Sequence, residues 1–433
     1  MSGQVYIRPI GFVPGPQSEH GNAIRLAGTM VYASRFAVIL RRDGEVVERW
    51  LAAPDTMAEA LGRLPEELGA EAEAQWANLT LAHPPLQLGA RTVPLDQPQV
   101  MGILNVTPDS FSDGGRFLDD AEAGRDHAAA MVEAGAAIID VGGESTRPGA
   151  KPLWEGDEIK RVVPAIAACA GMGAAVSVDT RKAAVMEAAL EAGAHLVNDV
   201  SGLAHDPRSA EVVARAGCPV VLMHAPGAAG EDLHAGADYA SVVFDVFDAL
   251  RARRDAALEA GIAAQHILLD PGIGFGKSLA ENLALMNALP LFHALGHPLL
   301  LGASRKRMIG ALSKEAPVDQ RLGGSVALAL EGMRAGMQMV RVHEDVLAVA
   351  FDQRQDPVAT HQIAQPGSSQ ATERRGQHGA GPRHVPGRDH VPGERHHRFT
   401  GHREHHAFRC HQQGEARVPS RLDHADRERG QPD

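Results

Sequence analysis

The sequence predicts an α/β protein built on a (β/α)8 (TIM) barrel, with a small α+β appendage before it and a disordered tail after it. Three observations carry that expectation. From about residue 99 to about residue 345, short β-rich apolar runs alternate with longer Ala-rich amphipathic stretches. The runs number eight, and eight strand–helix units in about 250 residues match this barrel in number and size. Nearly every run ends at its C-terminal side on a polar or small residue, and in such barrels those ends converge on the face that carries the chemistry. A doubly wound open sheet is the alternative that shares the alternation.

Taken in order, residues 1–95 form the appendage. Tyr32–Leu40 and Glu45–Leu51, joined by Arg41-Arg42-Asp43-Gly44, read as a β-hairpin, and Met57–Leu64 and Glu66–Ala77 read as short helices. No recognisable site falls here, so packing against the barrel or a partner is its expected role.

The barrel is expected within residues 96–357. Its strands are Val100–Val106, Ala137–Gly143, Ala174–Thr180, Leu196–Ser201, Pro219–His224, Ile267–Gly272, Leu299–Ser304 and Met339–His343. Apolar residues recur at three- and four-residue spacing in Ala121–Ala134, Glu155–Ala170, Arg181–Ala192, Tyr239–Ala260, Ala280–Leu289 and Gln320–Ala335, which are the helices between them. Beyond the last strand, Asp345–Phe351 offers only a short eighth helix. Residues 358–433 are the expected disordered tail: from Phe351 on there are 13 Arg, 11 His, no Lys and six residues among Val, Ile and Leu, too little apolar surface to offset ordering entropy.

Composition narrows the function. The chain has 433 residues, 44% hydrophobic and 22% charged, which suits a soluble globular protein with a sizeable core. Its net charge of −12 opposes binding to a phosphate backbone, so nucleic acid is not an expected partner. No run reaches the roughly 18 apolar residues of a membrane span, and the N-terminus lacks a basic region followed by an apolar stretch. A cytoplasmic protein without membrane association is expected. Cys169, Cys218 and Cys410 show neither paired nor CxxC spacing and suggest no disulfide framework or thiolate metal site.

The strand ends present Asn105, Asp140, Asp179, Asn198-Asp199, His224, Asp270, Ser304, Arg341 and His343. Asn105 to Gly115 follows the first strand and is dense in hydroxyls and turn formers. After the second, Gly142-Gly143-Glu144-Ser145-Thr146-Arg147-Pro148-Gly149 sets hydroxyls and an arginine among glycines, materials suited to an anion. Gly272 to Ser278 is not a P-loop, because Pro271 stands where the first glycine of that motif belongs. Asp270 ahead of it is more informative, since a carboxylate at a strand end accepts paired N–H donors from an amino-pyrimidinone. Asp179 and Asn198 offer similar edges. Ser304-Arg305-Lys306 and Arg341-Val342-His343 place cations where barrels often bind phosphate.

Taken in sequence, these motifs resemble the dihydropteroate synthases of the pterin-binding barrel superfamily, over roughly residues 99–345. The resemblance implies condensation of 6-hydroxymethyl-dihydropterin diphosphate with 4-aminobenzoate, giving dihydropteroate and diphosphate for folate synthesis. It assigns Asn105 to a Mg²⁺ ion shared with the diphosphate, and Arg341 and His343 to phosphate oxygens. Asp179, Asn198, Asp270 and Lys306 would hold the pterin, with Asp179, Asp270 and Lys306 as the catalytic set. Thr146, Arg147, Pro148, Phe275 and Ser304 would border the aminobenzoate. It further implies a homodimer and a site open to sulfonamides, which mimic aminobenzoate. A methyltetrahydrofolate-binding methyl-transfer domain on the same barrel, or a barrel serving as a scaffold, are the competing readings; the first has no use for a diphosphate loop.

Overall fold

The computed structural model describes residues 3–13, 22–107, 121–146, 149–227, 233–343 and 346. Expectations for the tail, for Pro108 to Gly115, for Arg147 and Pro148, and for the eighth helix apart from Val346 lie outside the described residues.

The described chain starts with β1 (Gly3–Val13), β2 (Ile24–Arg25), β3 (Tyr32–Arg42) and β4 (Glu45–Ala52), which form one sheet centred on β3. The hairpin expected from the sequence is β3–β4, antiparallel, pairing Arg42 with Glu45. β1, which the sequence reading did not assign, pairs antiparallel along the length of β3, and the register slips between Pro9 and Phe12. A proline within a strand argues against one, and here the irregular register accommodates it. Helices α1 (Met57–Leu61) and α2 (Glu66–Thr80) follow, then a small hairpin of β5 (Leu86–Leu88) and β6 (Arg91–Val93).

The barrel strands are β7 (Gln99–Asn105), β8 (Ile138–Gly142), β9 (Val176–Asp179), β10 (Leu196–Asp199), β11 (Val220–Met223), β12 (Ile267–Asp270), β13 (Leu300–Leu301) and β14 (Met339–Val342). All pair in parallel in the order β12-β11-β10-β9-β8-β7-β14-β13, and a parallel bridge from Leu269 to Leu299 closes the circle. Between them run α3 (Ala121–Glu133), α4 (Glu155–Gly171), α5 (Ala183–Glu191), α6 (Ser209–Ala216), α7 (Val242–Glu259), α8 (Leu279–Ala288), α9 (Arg307–Leu312) and α10 (Leu322–Arg334). The sequence reading missed α6 and α9, whose eight and six residues are too short for a helical period to stand out.

Strand alternation divides the apolar residues into two bodies. Leu104, Ile139, Val141, Val178, Leu222, Leu269 and Val340 belong to the large core shared with the helices. Met101, Ile138, Leu196, Val221, Leu268, Leu300 and Met339, at the beginnings of the same strands, cluster instead with Leu86, Leu88, Val93 and Leu95. The β5–β6 hairpin thus plugs the N-terminal end of the barrel, and the interior is dry at its floor.

The N-terminal sheet shares the large core and is tied to α7 by polar contacts. Asp248 accepts from Gln4 Nε2 at 2.8 Å and Tyr6 Oη at 2.7 Å, Arg41 pairs with Asp245 at 2.8 Å, and the Tyr6 ring lies 4.4 Å from that of Phe244. Among the described residues no helix is long and apolar enough to cross a membrane.

His83, half-buried, and the buried His293 and His297 lie close enough that the last two disfavour charge on the first; burial pushes the three down to about 3, 4 and 4 from an ordinary value of 6.5. Above pH 6.5 they are neutral folded or unfolded. Below it the unfolded chain binds protons that the folded one refuses, so stability is complete above 6.5 and declines as pH falls toward 4. The expected slope is up to about 1.4 kcal/mol per pH unit for each group. His293→Gln removes one such group and should flatten the pH dependence of the urea midpoint between about pH 7.5 and about pH 5; a pH dependence identical to that of the unaltered chain would contradict the assignment.

Candidate active site

Above the apolar floor, the inward positions of the strands turn polar. Asp140 on β8 is fully buried; its Oδ2 accepts from Asn198 Nδ2 at 3.1 Å and from Arg341 Nε at 2.6 Å. Arg341 Nη2 donates to Asp179 Oδ2 at 2.7 Å. One guanidinium from β14 therefore bridges carboxylates on β8 and β9. Burial pushes the Asp179 carboxyl up to about 7, with the Arg341 charge pulling the other way and Asp140 adding to the rise. Burial also works against the charge on Arg341, but Asp140 and Asp179 more than compensate and hold its value above the ordinary one.

A second charged group faces this one across Gly302. A Cβ added there would stand 3.6 Å from Asp270 Oδ2 and 4.0 Å from both Lys306 Nζ and Arg341 Cβ, so the glycine leaves open the space on which these side chains converge. Asp270 Oδ1 is already used, accepting the Gly272 N–H at 2.7 Å. Burial raises the Asp270 carboxyl, opposed by Lys306, and burial lowers the Lys306 ammonium to about 8, opposed by Asp270. Lys306 also donates to the Ile273 carbonyl and lies 4.5 Å above the Phe275 ring. Gly142 leaves a similar space: a Cβ would fall 3.5 Å from Asn105 Oδ1 and 3.7 Å from Asp179 Oδ2.

Backbone geometry explains how loops deliver these groups. Arg305 has φ 58°, a left-handed conformation that costs a non-glycine residue roughly 1–3 kcal/mol, and it is held by Ser325 Oγ on its N–H at 2.9 Å and Arg321 on its carbonyl at 3.0 Å. That kink lies between Ser304 and Lys306. In the glycine-rich loop after β12, Gly272 and Gly274 have φ 70° and 86°; a Cβ would lie 1.8 Å from the His224 carbonyl at the first and 2.8 Å from Lys306 Cδ at the second. The loop's glycines serve close packing around Asp270 and Lys306 rather than a phosphate. Lys277 pins it from below, donating to the Gly272 and Phe275 carbonyls at 2.9 and 3.0 Å and lying 3.0 Å from His224 Nδ1. Burial and the Lys306 charge push Lys277 down to about 7.

The structure thus brings Asp179, Asn198, Asp270, Lys306 and Arg341 to one barrel mouth, with Asn105 at its edge. Ser304 Oγ lies 3.0 Å from His343 Nδ1. Arg341, assigned by resemblance to phosphate, is found engaged with two carboxylates. Asp140, a strand end recognised in the sequence but given no role, proves central. His234 was missed altogether: its ring stacks on Phe275 at 5.0 Å and 15°, and its Nε2 lies 2.6 Å from the Thr146 carbonyl, linking two loops. No strand-end signal marks it, because it sits mid-loop.

Replacing Arg341 with methionine strands two buried carboxylates. The expected loss of stability is about 3–5 kcal/mol, read from the urea midpoint; a loss under about 1 kcal/mol, the scale of an exposed ion pair, would mean the bridge is idle.

Comparison with known proteins agrees with this arrangement. The family model described as pterin binding enzyme matches residues 101–343. A Bacillus subtilis (strain 168) dihydropteroate synthase is 45% identical over 246 residues, covering 57% of this chain and 83% of that protein. A Xanthomonas albilineans dihydropteroate synthase solved with 4-aminobenzoic acid is 43% identical, with a TM-score of 0.58 over 65% of this chain and 100% of that one. Another structure of the enzyme from that organism, with 7,8-dihydropteroate, is 40% identical with a TM-score of 0.55, covering 64% and 100%. With the match spanning the barrel from β7 to β14, the chain belongs to the pterin-binding enzyme family.

Proposed function

We propose that this chain is a dihydropteroate synthase, joining 6-hydroxymethyl-7,8-dihydropterin diphosphate to 4-aminobenzoate to give 7,8-dihydropteroate and diphosphate. The observation that carries the proposal is the meeting of Asp270 Oδ2 and Lys306 Nζ at the space left by Gly302. An amino-pyrimidinone edge presents adjacent N–H donors, which suit a carboxylate oxygen, and a ring acceptor, which suits an ammonium. Asn198 and Asp179 extend the same polar wall.

In the reaction the bond between the methylene carbon and the diphosphate oxygen breaks, the aminobenzoate nitrogen bonds to that carbon, and the amine gives up a proton. Positive charge develops on the methylene and the ring. Asp179 and Asp270, fixed in a dry interior, stabilise it without reorganising. No protein nucleophile takes part. Arg341 and His343 are assigned to the diphosphate. Phosphate oxygens arriving at Arg341 compete with Asp179 for Nη2, so binding of the diphosphate releases the Asp179 carboxylate toward the pterin. Thr146, Phe275 and Ser304, together with Arg147 and Pro148, border the aminobenzoate.

Mg²⁺ is part of the proposal. Asn105 offers one hard amide oxygen at the end of β7, and the described residues contain no cluster of three His, Cys, Asp or Glu able to hold a metal. Such a donor set fits an ion that draws most of its ligands from substrate phosphate and water. Held by Asn105, the ion supplies positive charge to the departing diphosphate.

Purified protein given pterin diphosphate, 4-aminobenzoate and Mg²⁺ is expected to form dihydropteroate and diphosphate in equal amounts; no product refutes the proposal. Asp270→Asn turns an acceptor oxygen into a donor facing ring N–H groups. It should weaken a pterin analogue about 10- to 100-fold by titration calorimetry, the equivalent of roughly 1–3 kcal/mol. Unchanged affinity would remove Asp270 from the pterin site.

A further inference from the structure

The proposed chemistry makes no use of Lys182, Glu158 and Glu144, yet they form a buried, paired set of charges between the second and third barrel strands. Lys182 Nζ lies 2.7 Å from the Leu153 carbonyl, 2.6 Å from Glu158 Oε2 and 3.0 Å from Glu144 Oε1, one acceptor for each ammonium proton. The Glu158 side chain is 0% exposed, that of Glu144 6% and that of Lys182 12%. Glu144 Oε1 also accepts the Leu153 N–H at 2.8 Å, and its Oε2 pairs with Arg181 at 3.2 Å. The opposite face of Glu158 accepts from Thr180 Oγ1 at 2.7 Å, and that hydroxyl accepts the Lys182 N–H at 3.3 Å.

Two connections follow from these contacts. Residues 144 and 153 begin and end the loop that carries Thr146, so the Glu144–Leu153 bond cinches its neck. Lys182 then fastens that neck to Glu158 on α4 and to the segment immediately after Asp179. Burying charges is a poor way to gain stability, because an apolar set of similar volume is often as stable or more so. What such a set supplies is a fixed geometry, and here the geometry fixed is that of one substrate-side loop against the strand end bearing Asp179.

We propose that Lys182 is a positioning residue that holds the 144–153 loop in register with Asp179, setting the aminobenzoate side of the site against the pterin side. The inference rests on the dihydropteroate synthase reading. Lys182→Met should raise KM for 4-aminobenzoate about 10-fold or more while kcat stays within about threefold, since misplacing a binding loop affects the substrate it holds. Affinity for a pterin analogue alone should not change. Because the single variant leaves Glu158 and Glu144 short of a cation, Lys182→Met combined with Glu158→Gln serves as the second variant; it should recover thermal stability and keep the KM defect. Lys182→Arg should restore part of the lost KM. A readout independent of turnover is chymotrypsin cleavage after the exposed Trp154 at the loop's end, expected to quicken in both methionine variants. An aminobenzoate KM equal to that of the unaltered chain, or a matching rise for both substrates, overturns the inference, as does unchanged cleavage after Trp154. Absence of product from the unaltered chain instead overturns the reaction reading, with the cleavage result still deciding whether Lys182 holds the loop.

Discussion

Like charges in a dry interior repel strongly, and this barrel places Asp140, Asp179 and Asp270 inside it. Asp140 and Asp179 lie on neighbouring strands one layer apart, since Asp140 registers with Ser177 and Asp179 with Gly142. The arrangement is tolerable only with a cation between them, and Arg341 reaches both from β14, on the far side of β7. A lysine could not take its place: the planar guanidinium offers two separated donors in fixed geometry, while an ammonium is a single point. Once Arg341 is set, Asp140 has its partner, Asn198 is oriented by Asp140, and Asp179 is held at the rim. Most of the polar layer follows from that one bridge.

The bridge depends in turn on the floor beneath it. The β5–β6 hairpin closes the barrel's N-terminal end with Leu86, Leu88 and Val93, which together with Leu95 pack on an inward residue near the start of seven strands. Water is excluded there, so the charges above interact through a medium of low polarisability, where pairing is strong and an unpaired group is costly. Asp140 Oδ1 remains buried with no hydrogen-bond partner among the described residues. Arg305 keeps a left-handed backbone beside Lys306. Both departures lie on the polar side of the floor, consistent with local strain gathering where a site is shaped.

Much of this was legible in the sequence. The eight strands and six of the helices stand where apolar periodicity placed them, because a strand buried on both faces reads as a short apolar run and a covering helix as an amphipathic one. The polar strand ends located the rim, and five of the residues singled out there meet at one mouth. What escaped detection did so for definite reasons. β1 carries Pro9 and two glycines within eleven residues, which locally read as loop, and only pairing with β3 makes it a strand. α6 and α9 are too short for a period. Asp140 looked like any strand-end acid, since its importance lies in being reached by a side chain from 201 residues away. His234 contacts Thr146 and Phe275 from within a loop, and loop contacts leave no periodic trace.

These features divide the labour between strands and loops. The groups proposed to face the pterin come from strand ends or from short segments directly after them, and the barrel's hydrogen bonding fixes their spacing. Of the groups proposed to border the aminobenzoate, Thr146 and Phe275 come from loops, whose backbones have no ladder to hold them. A reaction joining two substrates at one carbon needs both sets in a single frame, because both substrates must be bound together before the new bond can form. The frame is supplied where loop and strand are tied by polar side chains: Lys182 and Glu144 at the neck of one loop, Lys277 beneath another, Arg321 and Ser325 around the Arg305 kink. Each tie runs from a side chain to a backbone carbonyl or N–H. Such bonds fix the course of the main chain whatever side chains the loop carries, so the frame does not depend on which residues are proposed to line the aminobenzoate side.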